Sequence, residues 1–224
     1  MLRSHAGGHT VRLAGVVRLL VARERQKDVA MEIQQVRVKV MARSPDVTLD
    51  AVIPVFHDWI RQGRLGNQLL IDVADYRHVP NGPGVMLIGH EAHYSLDRIG
   101  GRFGLSYARK RDAIGPARPR LREALQAALD ACAALEAETA LDGELRFEPG
   151  KLHIHIMSRL IAPNHPETLQ AIKPILADLL ATVYDGADIA LRHLDDPRQP
   201  FGVAVEAAGT IDLAHARERI AAAQ

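Results

Sequence analysis

Histidine and carboxylate side chains crowd into residues 69–97, LLIDVADYRHVPNGPGVMLIGHEAHYSLD. Gly89-His90-Glu91-Ala92-His93 closes an apolar run there. Imidazoles beside a carboxylate are the groups that hold a divalent metal or pass a proton. His90 and His93 are the metal-ligand candidates, although their spacing fits no standard zinc signature. In a continuous strand they would point to opposite faces, so only a turn after Gly89 would bring them together. The same residues suit metal-free acid–base work. Asp72 lies among apolar neighbours in LLIDVA, where burial would raise its pKa, and His90 with Glu91 would act as the opposite partner. The plainer reading is that Asp72 accepts hydrogen bonds from backbone or arginine near a strand end. Asp75 and His78, across the expected hairpin, would complete the set. No cofactor is named by the sequence beyond this candidate divalent metal.

A second set of groups comes from alternation. In MEIQQVRVKVMAR (residues 31–43), Val36, Val38 and Val40 fall on one side and Arg37, Lys39 and Met41 on the other, the period of a half-buried strand. KLHIHIMSR repeats that pattern with His153, His155, Met157 and Arg159. A basic sheet face of this kind would bind an anionic small molecule, a carboxylate or phosphate ester, with Arg43 and Arg159 as paired donors and His153 and His155 beside them. The plainer reading is a solvated outward face, or one turned to a partner subunit.

The elements that must position these groups follow from periodicity and turn chemistry. Residues 49–62 read as a helix with apolar positions Val52, Val55, Phe56, Trp59 and Ile60, ended by Gly63. Residues 69–74 and 85–89 read as strands joined by a Pro/Gly/Asn loop, and a hairpin through Gly100-Gly101 leads into 103–108. A long Ala/Leu helix spans 118–138. A short segment at 144–147, a Pro149-Gly150 turn and a strand at 152–157 follow. After them come a helix at 167–184, strands at 187–194 and 202–207, and a helix at 213–223.

The two halves resemble each other. VKVMAR (38–43) matches IHIMSR (154–159), LDAVIPV (49–55) matches LQAIKPI (169–175), and VPNGPGV (79–85) matches DPRQPFGV (196–203), all in the same order. Pro54 and Pro174 each fall inside an expected helix, where proline is disfavoured by about 3 kcal/mol. The expected fold is α+β: a tandem duplication of a β-α-β-β unit, forming a pseudo-twofold mixed sheet with helices on one face. Its parts would be an N-terminal extension (1–30), a first repeat with an extra hairpin (31–115), a bridging helix (116–142), and a second repeat with a terminal helix (143–224). The second copy lacks the His/Glu-rich ending of the first, which favours a function seated in the first copy.

Composition narrows the classes. Hydrophobic residues make up 47% and the net charge is +1, so nothing in the bulk electrostatics calls for nucleic acid or an anionic membrane. Only Phe103-Gly104 of GRFGLSY fits the pattern of RNA-binding sheets, and 4% aromatic content argues against base stacking. The single cysteine, Cys132, excludes an intrachain disulfide and points to a reducing, cytoplasmic setting; in its Ala/Leu run it reads as a small buried residue. No run approaches the roughly 20 apolar residues of a membrane span. The first twenty-five residues hold five arginines and one acid, Glu24, and make a poor secretory signal. Patterned sequence begins at Met31, so 1–30 is expected to be a disordered or non-native extension.

The phrases VIPVFHDWI and LLIDVADYRHVPNGPGVMLIGHE resemble those of a group of conserved, uncharacterised bacterial proteins, over most of the chain from Met31 onward. The resemblance implies a bacterial protein and carries no reaction, cofactor or catalytic residue. The expected function is binding of a small anionic metabolite, or acid–base catalysis, in a pocket formed mainly by the first repeat. The alternatives are a metal-dependent enzyme using His90, Glu91 and His93, and a non-catalytic homo-oligomer whose basic sheet face is the interface.

Overall fold

The computed structural model describes residues 31–43, 48–66, 68–110 and 115–223; the expected extension 1–30 lies outside them. Ten strands and four α-helices are described: β1 (Glu32–Ile33), β2 (Val36–Ala42), α1 (Val52–Gln62), β3 (Leu70–Tyr76), β4 (Gly84–Gly89), β5 (Ala92–Asp97), β6 (Gly104–Arg109), β7 (Gly115–Pro116), α2 (Ala117–Glu136), β8 (Phe147–Ile156), α3 (Pro166–Val183), β9 (Ile189–His193), β10 (Phe201–Ala207) and α4 (Leu213–Ala222). Eight strands form one sheet in the order β3-β4-β5-β6-β2-β8-β10-β9, and β1 pairs with β7. The α+β class is as expected. β2 and β3 point the same way, as do β8 and β9, but the strands between them make each neighbouring ladder antiparallel.

Alternation sorts this sheet into rows. Val85, Leu96, Leu105, Val40, Leu152 and Val205 stand opposite one another across six strands, and Leu87, Tyr94, Tyr107, Val38, Ile154 and Val203 form the next apolar row. Every one of these twelve side chains is buried, against helices that contribute Phe56 and Trp59 from α1, Leu125 and Leu129 from α2, and Leu176 and Leu180 from α3. At about 1.5–3 kcal/mol per fully buried aliphatic or aromatic side chain, this layer fixes which way every strand faces. The register therefore also fixes the opposite face.

Two local readings are revised. The Pro149-Gly150 pair was expected as a turn before a strand at 152–157, but both residues lie within the ten-residue β8. The β2–β8 register shifts between Val40 and Met41, whose partners are Leu152 and Glu148. Proline is tolerated at such a bulge because its missing N–H breaks no ladder bond. The Tyr184 hydroxyl donates to the Pro149 carbonyl at 2.6 Å. A Cβ on Gly150 would come within 2.9 Å of Ile211. The two helix prolines also stand at unequal places: Pro54 is the third residue of α1, in the first turn after a 3-10 turn (Leu49–Ala51), whereas Pro174 is mid-helix in α3. Among the described residues no helix is long and apolar enough to cross a membrane.

A candidate anion pocket on the open face of the sheet

The face turned away from the helices carries two rows of another kind. Ser95, Ser106, Lys39 and His153 are opposite one another on β5, β6, β2 and β8; His93, Ala108, Arg37 and His155 form the row beside them. Polar residues on a helix-free face would ordinarily be solvated. Here four of them are buried, Ser95, Ser106, Lys39 (3% exposed) and His155 (8%), as is Asp97 two residues beyond Ser95. The cover comes from two loops, the turn at Ile99–Gly101 and the segment 194–199 between β9 and β10. With the sheet they enclose a concavity of about 240 Å³ lined by Arg37, Lys39, Ser106, His153 and His155, with Ile99 and Leu194 as apolar wall.

Asp97 is the hub of this region. Its carboxylate accepts from Lys39 Nζ at 2.6 Å, Ser95 Oγ at 2.9 Å, Ser106 Oγ at 2.7 Å and the Ile99 amide at 2.9 Å. Lys39 Nζ also donates to the carbonyls of Asp97 (3.1 Å) and Ile99 (2.7 Å), so one ammonium ties the sheet to its covering turn. Hydrogen bonds of this number offset the cost of taking a carboxylate out of water. Burial pulls Lys39 below the ordinary lysine value, with Asp97 opposing. The second wall is fixed by Asn164, whose amide donates to the carbonyls of Leu194 (3.1 Å) and Asp196 (2.9 Å), and by Arg159, which donates to the Arg198 carbonyl.

The remaining groups are less fully satisfied, although His155 keeps a hydrogen bond to the Pro200 backbone. Among the described residues the Arg37 side chain has no ion pair or hydrogen bond; burial lowers its pKa, and Asp97 opposes only through its field. Burial first, and then the positive charges of Lys39, Arg192, Arg102 and Arg37, push His153 down to about 4. Burial and Arg37 push His155 down to about 3. Both imidazoles are thus neutral at pH 7. The His155 Nδ1 atom is buried with no hydrogen-bond partner. Its ring lies against Gly202 of β10, where an added Cβ would sit 2.6 Å from that nitrogen, so glycine is required opposite this histidine.

The sequence-derived candidates divide sharply. His153 and His155 come together in the pocket, their rings 6.3 Å apart and edge-to-face. Arg43 and Arg159 do not. β2 and β8 are antiparallel, so the residues that follow them lie at opposite ends of the strands. Arg43 instead lines a separate concavity with Glu148 and Lys151. Asp72 lies on the edge strand β3 and is exposed rather than buried; its carboxylate accepts the Val73 amide at 2.8 Å, as the plainer reading had it. Asp75, also exposed, pairs with Arg77 at 2.6 Å, and these hydrogen bonds lower its carboxyl to about 2. His78 is exposed in the turn beyond. A turn does follow Gly89. His90 Nδ1 lies 2.9 Å from Glu91 Oε1 in the bend between β4 and β5, whereas His93 belongs to β5, in the row of Arg37. Among the described residues no group of three or more His, Cys, Asp or Glu could hold a metal ion.

Alternation marked Arg37 and Lys39 as a basic face without identifying them as site residues. Asp97, Ser106, Gly202 and the 194–199 wall were missed, because cross-strand register brings them together across stretches of chain that carry no common motif. Cys132 is fully buried in α2, and burial drives its thiol well above the ordinary value. In comparisons with known proteins, no family model matches the chain and no curated protein matches it.

Proposed function

We propose that this protein binds a small anion, a carboxylate or phosphate ester, in the concavity between β6, β2 and β8. The observation that carries the reading is Arg37: a half-buried guanidinium with no partner among the described residues, opening onto a cavity it shares with two neutral imidazoles. A cation held out of water with no counter-ion is costly, and an incoming anion relieves that cost with charge-assisted hydrogen bonds. At about 240 Å³ the space is below the roughly 300–1,000 Å³ of pockets for drug-sized ligands, which favours a compact metabolite over a nucleotide cofactor. Binding is favoured over general-base catalysis, because imidazoles held near 3 and 4 are too weakly basic to take a proton effectively at pH 7. The Arg37 and Lys39 charges beside His153 and His155 weigh equally against a cationic metal there.

The tandem-duplication reading fits this site. If Val38 and Ile154 are equivalent, as the repeats VKVMAR and IHIMSR have it, then Arg37 corresponds to His153 and Lys39 to His155. The observed cross-strand pairs are Val38 with Ile154, Arg37 with His155 and Lys39 with His153, a register that such an exchange leaves unchanged. On that reading the pocket straddles a local twofold axis, with cations from one copy and imidazoles from the other. A site built by both halves replaces the one expected in the first repeat alone.

The test is thermal unfolding of the wild type and Arg37→Gln at low ionic strength with acetate, butyrate, succinate or inorganic phosphate. At least one anion is expected to raise the wild-type midpoint in a concentration-dependent way, by mass action on the native state, and to leave Arg37→Gln unmoved. A variant that responds like the wild type would remove Arg37 as the anchor.

A further inference from the structure

Resting on that reading, we infer that the pocket takes its ligand as a monoanion, a short carboxylate with an apolar body, and discriminates against phosphate and dicarboxylate dianions. The argument is a charge inventory of every element facing the cavity. From β2 come Arg37 and Lys39, from β8 His153 and His155, and from the 194–199 wall Asp196. Lys39 is neutralised by Asp97, which reaches it from the end of β5 at 2.6 Å. Asp196 is paired with Arg198 at 3.1 Å. The imidazoles are neutral because burial and the neighbouring cations hold them so. Among the described residues that line the cavity, one charge is left without a bonded counter-ion, the Arg37 guanidinium. Arg98 acts on Lys39, and Arg192 and Arg102 on His153, from exposed positions outside the cavity lining, with Arg98 over the Phe103 ring and Arg102 bound to Glu148, where salt screens them.

A carboxylate matches a single guanidinium in charge and in shape, accepting two parallel N–H···O bonds from its fork. A dianion would leave one negative charge unmatched in a half-buried site, unless an imidazole took up a proton to meet it. Ile99 and Leu194 give the ligand's body an apolar wall, which a bare phosphate would not use.

Isothermal titration calorimetry of the full chain at pH 8, where succinate and most inorganic phosphate are dianions, compares these two with butyrate and tests this; two buffers of different ionisation enthalpy count the protons exchanged. Butyrate is expected to bind with no net proton uptake. Succinate and phosphate are expected to bind at least about tenfold more weakly, the scale of one unmatched charged hydrogen bond. Arg37→Gln should lose about tenfold or more of the butyrate affinity by the same measure, and Arg43→Gln none. Should Arg37→Gln fail to fold, Arg37→Lys keeps the charge without the fork and is expected to bind butyrate several-fold more weakly. Binding of phosphate or succinate as tight as that of butyrate, or tighter, overturns the monoanion inference and leaves the anion site standing. No binding by any of the three overturns both.

Discussion

The hairpin region around β3, β4 and the β4–β5 bend and the central strands β2 and β8 hold similar side chains in different physical settings. In the first, Asp72, Asp75, His78 and His90 are exposed. Three of them are bound locally, Asp72 to the Val73 amide, Asp75 to Arg77 and His90 to Glu91. In the second, Lys39 and His155 are buried and the Lys39–Asp97 pair bridges residues 58 apart in sequence. A dense run of polar residues at the edge of a sheet satisfies itself over a few residues of chain. Single polar residues at its centre must find partners across strands, and become costly or useful there.

Three perturbations would break or sharpen that contrast. The largest is Asp97→Ala, which leaves the buried Lys39 ammonium unpaired and releases the Ile99 turn; a loss of about 3–5 kcal/mol is expected in denaturant unfolding. Asp75→Ala removes an ion pair of the exposed region and should cost far less. Next is acid. The folded-state values of His153 and His155, about 4 and 3, lie below the ordinary 6.5, so from pH 6.5 downward the unfolded chain binds protons the folded one refuses. Stability should be independent of these groups above pH 6.5 and fall as pH drops toward 3. Each imidazole would add a slope of at most about 1.4 kcal/mol per pH unit, and His155→Gln should flatten the profile. The smallest effects belong to the edge. Asp72→Asn and His90→Ala should each shift unfolding by no more than about 0.5 kcal/mol, as surface substitutions do, and leave anion binding unchanged.

The fold was more legible than the site. Periodicity located most of the elements, because the apolar side of each helix and strand is written in consecutive residues: Val36, Val38 and Val40, or Leu152, Ile154 and Ile156. Where it erred, at Pro149-Gly150, local turn chemistry was overridden by a bulge against β2 that only the partner strand determines. For the site, His153-Ile154-His155 and Arg37-Val38-Lys39 were visible as alternating polar positions. Their pairing depends on register, however, and their burial on the loops at Ile99–Gly101 and 194–199. Asp72 misled for the converse reason: apolar neighbours such as Ile71 suggested a buried strand, yet Ile71 itself is 51% exposed on the sheet edge.

The central β2–β8 ladder joins segments more than a hundred residues apart. During synthesis β2 therefore remains an open edge until β8 leaves the ribosome, long after β3 to β6 have been made. Loop-closure entropy opposes that last pairing, which makes it a natural slow step of folding. Until it forms, the surface that later becomes the pocket is a sticky strand edge, and a nascent or truncated chain ending before Phe147 is the species most in need of a chaperone.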